Sequence, residues 1–215
     1  MIRDIASFTN RMDSFLARSR DRWQYGNGIL YRMCREDPKH DDPDVAAAKV
    51  WLIGRSYAAA IERRKNADGF SGDFYHDVVA PKMTSISNEL DSRLEKINAT
   101  ECPDENAADL ILSTHHLLMK AFYEITGLEK RSLAAKYLHF HCPAAFYIYD
   151  RIASREARKL VSLDRGESES FRIEDVDPEY RDFFLRCLEI KAATLELYGR
   201  ELTPREVDRV LLGNT

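Results

Sequence analysis

The segment Gly127-Leu-Glu-Lys-Arg-Ser-Leu-Ala-Ala-Lys136-Tyr-Leu-His-Phe-His-Cys-Pro143-Ala-Ala-Phe-Tyr-Ile-Tyr-Asp150 holds a turn, a helix, a stop and a cap in succession. Gly127 marks the turn, because glycine takes the left-handed conformation that ends helices without a steric penalty. The run after it reads as a helix over 129–141. That helix carries Lys136 among Ala134, Ala135, Leu138 and Phe140. Pro143 cannot continue it. The aromatic run Phe146–Tyr149 then delivers Asp150 to the start of a further helix over 150–163, where a short acidic side chain caps free amides.

The same grammar recurs outward from this segment. Residues 4–22 read as an amphipathic helix with Ile5, Phe8, Met12, Phe15 and Leu16 on one face. Gly26-Asn27-Gly28 reads as a turn before a helix over 28–36. After a polar loop, Asp42 and Pro43 open a helix expected over 43–65. From Val50 to Ile61 it is apolar or small nearly all round except at Arg55, so it is expected to be the central buried helix. Phe74–Val79 reads as a short helix or turn, followed by helices over 82–98 and 104–125. Asp164–Val176 is polar and reads as a mobile loop. Asp177-Pro178 opens a helix to Tyr198, and Thr203-Pro204-Arg205-Glu206 is a capping box for a last helix to about 212. No alternating β-branched run has strand length, so the fold class is all-α, in one domain over 1–215.

Composition narrows the function classes. With 44% hydrophobic residues in 215, the chain can bury a sizeable core. A net charge of −4 tells against a non-specific nucleic-acid coat, although 32 Lys and Arg leave room for a local basic face. Cys34, Cys102, Cys142 and Cys187 form no CxxC pair. With no signal peptide and no long apolar span, they read as reduced thiols of a cytoplasmic protein without a membrane contact. No cofactor or metal is expected. His139 and His141 lie on different helix faces, and adding His115 and His116 gives no ligand spacing.

Ile125-Thr126-Gly127-Leu128-Glu129, a helix, and then Phe146-Tyr147-Ile148-Tyr149-Asp150 resemble the helix-hairpin-helix DNA glycosylase superfamily, nearest its oxoguanine-glycosylase branch. The resemblance covers roughly residues 105–165. It implies a two-lobed helical fold that holds an everted, modified purine-type base. It makes Gly127 the first hairpin glycine and Asp150 the catalytic aspartate, with Lys136 as the attacking amine of a glycosylase with lyase activity. The implied partner is DNA, in repair or in defence against phage. The chain departs from the pattern twice. Glu129 stands at the second hairpin glycine, and the family's lysine lies further upstream, where this chain has Lys130 and Arg131. A rival reading is therefore a glycosylase fold reused to bind a modified nucleobase or a partner protein in an antiphage system. A third is a helical scaffold in which Arg55, Lys136 and Asp150 lie apart.

Each residue also has a plainer reading. Lys136 is either the nucleophile or a structural lysine paired with a buried carboxylate. Asp150 is a helix cap in both accounts. Arg55, on a helix expected to be buried, is either the partner of a buried carboxylate or of helix C-terminal carbonyls, or meets an anion such as a phosphate or the carbonyl edge of a base. Tyr57 is either core or cavity wall, and His139 either a satisfied core histidine or part of the pocket of Lys136. Trp23, Tyr25 and Tyr31 are either buried or stack on a base. Glu62, Arg63 and Arg64 form a solvated helix end or join Arg18, Arg20, Arg22 and Lys65 in a basic patch.

Overall fold

The computed structural model describes residues 1–18, 23–63, 72–163 and 175–213. Arg20, Arg22, Arg64, Lys65 and the polar run 164–174 lie outside the described residues. The described residues are helical, and no strand occurs among them; one isolated antiparallel bridge joins Ile2 to Val161. The helices are α1 (Ile5–Leu16), α2 (Gln24–Glu36), α3 (Pro43–Ser56), α4 (Ala80–Ser85), α5 (Ser87–Asn98), α6 (Pro103–Asn106), α7 (Ala108–Thr126), α8 (Arg131–His141) and α9 (Arg151–Leu160). Two more follow, α10 (Pro178–Tyr198) and α11 (Pro204–Leu212). A π-helical turn, Tyr75–Val79, leads into α4. None of these helices is long and apolar enough to cross a membrane.

Helix starts follow local chemistry. The Asp42 carboxylate accepts the amides of Asp44 and Val45, with Pro43 in the first turn of α3. Asp177 accepts the amide of Tyr180 at α10. Thr203 and Glu206 exchange bonds in a full capping box at α11. Each such cap stabilises a helix by about 1 kcal/mol.

The central helix is α8, not α3. Every residue from Leu133 to Phe140 is buried, and α8 packs against α2, α3 and α7. Phe122, Phe146, Phe184, Tyr147 and Tyr180 extend the same core. Each such side chain taken out of water contributes roughly 1.5–3 kcal/mol before entropy is set against it.

α3 stops at Ser56 rather than near residue 65, and it exposes Trp51 and Leu52. The reason is Gly54. There the chain folds back so closely that an added Cβ would lie 3.2 Å from the Ala60 Cα. The Ala59 amide closes the reversal on the Gly54 carbonyl at 2.8 Å. Ala58 takes a positive φ of 51°, a strained choice for alanine. The expected turn at Gly26-Asn27-Gly28 lies inside α2 instead. A Cβ at Gly26 or Gly28 would meet nothing within 4 Å, so neither packing nor φ demands glycine there. Each costs the helix about 1 kcal/mol relative to alanine.

Three of the four thiols are buried and all four are free. Burial pushes Cys34 and Cys142 up to about 12, which leaves them unreactive as thiols.

Candidate functional site

The glycine reversal after α3 shapes a cavity beside α8. It turns Tyr57 back over α8, where the Tyr57 carbonyl lies 3.5 Å from the Lys136 Nζ and its ring centroid 5.6 Å away. The ammonium also donates to the Ser132 Oγ, one helical turn earlier, at 3.1 Å. Lys136 is 5% exposed. Such burial of a charge is costly unless a countercharge stands near.

Asp150 supplies one. After α8 the chain turns at Pro143 and runs without helix through buried Phe146–Tyr149 to the start of α9. One carboxylate oxygen, Oδ1, accepts the amides of Ile152 and Ala153, both at 2.8 Å. The other, Oδ2, lies 3.8 Å from the Lys136 Nζ. The two oxygens thus divide the two tasks foreseen for this residue, capping and facing the amine. Burial holds the Lys136 pKa below that of an ordinary lysine, while Asp150 and Asp208 oppose the shift without cancelling it.

Both groups line a cavity of about 630 Å³. That volume falls within the usual 300–1,000 Å³ range of small-molecule sites. Trp23 and Gly26 form part of its wall at the start of α2, Tyr57 another part, and Arg205 and Asp208 of α11 a third. The polar side chains are linked in series. Tyr57 donates its hydroxyl to the Asn27 Oδ1 at 2.7 Å and accepts from the Arg205 Nη1 at 3.1 Å. Arg205 in turn lies 3.4 Å from the Asp208 carboxylate.

The sequence candidates therefore separate. Lys136, Asp150, Tyr57 and Trp23 line one cavity; Arg55, His139 and Gly127 do not. Arg55 is not buried. Its side chain is 55% exposed and pairs with Glu62, because α3 ends one residue later and the chain turns away. His139 is fully buried and engaged on both ring nitrogens. Nδ1 lies 2.8 Å from the Phe146 carbonyl, which can only accept, so Nδ1 donates and Nε2 accepts the Tyr31 hydroxyl at 2.6 Å. Burial pushes its pKa down to about 4, so it stays neutral. Gly127 ends α7 with φ 66°. Trp23 and Tyr25 are exposed, not core.

The alternative amines also fall elsewhere. Lys130 donates to the Arg63 carbonyl at 2.5 Å. Arg131 bonds Asp177 and also pairs with Glu129 and Glu179, each at 3.0 Å. His115 stacks on Tyr180 at 3.7 Å, and burial lowers its pKa to about 3. Among the described residues, no group of three or more His, Cys, Asp or Glu could hold a metal ion.

Asn27, Arg205 and Asp208 were missed by the sequence reading. Asn27 was hidden between two glycines. Arg205 and Asp208 were read only as part of a capped helix, yet their spacing of three residues puts both on one face of α11.

No protein-family model, curated protein or solved structure matches the chain.

Proposed function

We propose that the protein is a DNA N-glycosylase with lyase activity, acting on a modified purine-type base in a glycosylase-like two-lobed fold. The observation that carries this reading is the Lys136 amine 3.8 Å from the Asp150 carboxylate, both lining a cavity of small-molecule size. Excision chemistry needs a carboxylate beside the positive charge that develops on the sugar, and a low-dielectric site strengthens that effect. Lyase chemistry needs an uncharged amine, and burial biases Lys136 toward that form. The Nζ would bond to C1′ as the bond from C1′ to the base nitrogen breaks. The bonding pair leaves with the base, which takes a proton from water, and the new C–N nitrogen sheds one. The sugar then opens to an imine. An everted base would occupy the cavity beside Trp23 and Tyr57. Four free thiols suit a reducing compartment, so we place the enzyme in the cytoplasm, in repair or phage defence.

The test is borohydride trapping on single strands and duplexes carrying oxidised, deaminated or alkylated purines. A covalent adduct lost in Lys136→Gln, with base release slowed in Asp150→Asn, is the expected result. Absence of any adduct and any base release across these lesions would sink the reading.

One observation favours a second reading, a base-binding protein without strand chemistry. Glu129 is 60% exposed beside the Gly127 turn, with Asp177 and Glu179 gathered around Arg131. The Glu129 carboxylate at that turn repels the phosphate that a glycine hairpin would hold. Salt-insensitive binding of a purine nucleoside without adduct formation would select this reading.

A further inference from the structure

The exposed face of α2 has a composition that the fold does not require. Tyr25, Gly28, Ile29, Arg32 and Arg35 follow at helical spacing, and all are exposed. Tyr25 is 82% exposed and Ile29 45%. No acid occurs in the helix before Glu36, its last residue. In a chain of net charge −4 this is a local reversal of sign. Gly28 leaves open space where a side chain would cost nothing sterically, so the face stays flat beside the aromatic ring. The strip is also continuous with the cavity, since Trp23 and Ile29 line its wall. At its far end Arg35 borders a second recess of about 570 Å³.

We infer that this face is the docking track for a single-stranded nucleic acid that feeds its base into the cavity. The inference rests on reading the cavity as a nucleobase pocket. It adds the form in which the substrate arrives. Flat aromatic and glycine surface accepts base faces of any sequence, and arginines take the adjoining phosphates, which is how single strands are held. From Tyr25 to Arg35 the track runs about 15 Å at the helical rise of 1.5 Å per residue, enough for a few stacked nucleotides. A duplex is the poorer fit, because Glu129 stands two residues after Gly127, at the turn that would clamp its backbone, and its exposed carboxylate repels phosphate. A protein partner would find Tyr25, one branched aliphatic side chain, a glycine and two charges, too little contiguous apolar surface for the buried core of an interface.

The experiment is fluorescence anisotropy on the full chain, with a labelled mixed-sequence deoxyoligonucleotide as single strand and as duplex, across a salt series. The single strand should bind at least 10-fold tighter than the duplex. Tyr25→Ala should weaken it about 10-fold or more, the loss of one stacked base. Arg32→Ala with Arg35→Ala should lower the salt slope by about 1.4, or about 0.7 for each lost phosphate contact. Gly28→Leu should keep or raise Tm, since leucine favours helix and meets no neighbour, yet should still weaken binding. Equal or better duplex binding, or indifference to all of these variants, overturns the inference and leaves the trapping assay to judge the pocket chemistry. Concentration-dependent dimerisation abolished by Tyr25→Ala overturns it as well. Loss of adducts with single-strand affinity intact sinks the pocket chemistry and spares the track.

Discussion

Replacing Asp150 by asparagine and by alanine separates the charge of this residue from its cap. Both variants remove the carboxylate 3.8 Å from the Lys136 Nζ. Only alanine also removes the acceptor of the Ile152 and Ala153 amides, because asparagine caps helices as well as aspartate does. Two unit charges at about 4 Å attract by about 4 kcal/mol at an effective dielectric near 20. The net loss is smaller, because the Asp150 side chain is 30% exposed and the orphaned amine can shed its proton. Removing one partner of a fully buried pair costs about 3–5 kcal/mol, and of a surface pair about 0–1. An intermediate pair should therefore lose about 1–2 kcal/mol at pH 7. Alanine should lose about 1 kcal/mol more for the cap. The pH dependence tells the two losses apart. The folded pKa of Lys136 lies below its unfolded value, so the unfolded chain binds more protons between the two and stability rises with pH through that window. In Asp150→Asn the folded value drops further and the window opens at lower pH. The loss in that variant should therefore shrink as pH rises and the amine becomes neutral, while the cap loss in alanine persists. Urea unfolding at pH 7 and pH 10 measures this. A loss in Asp150→Asn that is the same at both pH values, or no loss at either, would refute the electrostatic account of the pair.

Three further outcomes follow from burial. His115 and His139 are held near pKa 3 and 4, and His40 and His141 are also lowered. Each neutral buried histidine gains a proton on unfolding below about pH 6.5, so stability should fall by up to about 1.4 kcal/mol per pH unit for each one between pH 6 and 5. Urea midpoints across that range should show it, with a shallower slope in His139→Gln. Lys191 holds the buried Asp104 carboxylate at 2.9 Å, with the Tyr147 hydroxyl on the same oxygen. Lys191→Met should cost about 3–5 kcal/mol by leaving that charge unneutralised, and adding Asp104→Asn should recover part of the loss in calorimetry. Leu138→Ala, in the wholly buried stretch of α8, should cost about 2–5 kcal/mol through lost burial and the cavity left behind, read as a lower urea midpoint.

What could be read in the sequence was what depends on neighbours in sequence. Asp42-Pro43, Asp177-Pro178 and the Thr203 to Glu206 box act within four residues, so their caps were legible. The same holds for Asp150 at the start of α9, and for an all-helical chain with a lysine on a buried helix. The end of α3 was not legible, because apolar Val50–Ile61 fits a continuing helix as well as a reversal. What decides between them is the contact of Gly54 with Ala60 and with Leu133 of α8. The burial expected of Arg55 rested on that helix and failed with it, although its pairing with a carboxylate, Glu62, was one of the readings given. Arg205 could not be assigned to the cavity, because its partner Tyr57 lies 148 residues away in sequence. Gly26 and Gly28 read as punctuation, yet the helix runs through them.

The wall that joins Asn27, Tyr57 and Arg205 has a consequence for how the protein is made. Tyr57 meets Asn27 across 30 residues of chain but waits for Arg205 across 148. A nascent chain that has reached only residue 200 would therefore present Lys136 and Asp150 with the α11 side of their enclosure missing. These groups become fully housed only once the helix carrying Arg205 and Asp208 has folded back onto Tyr57.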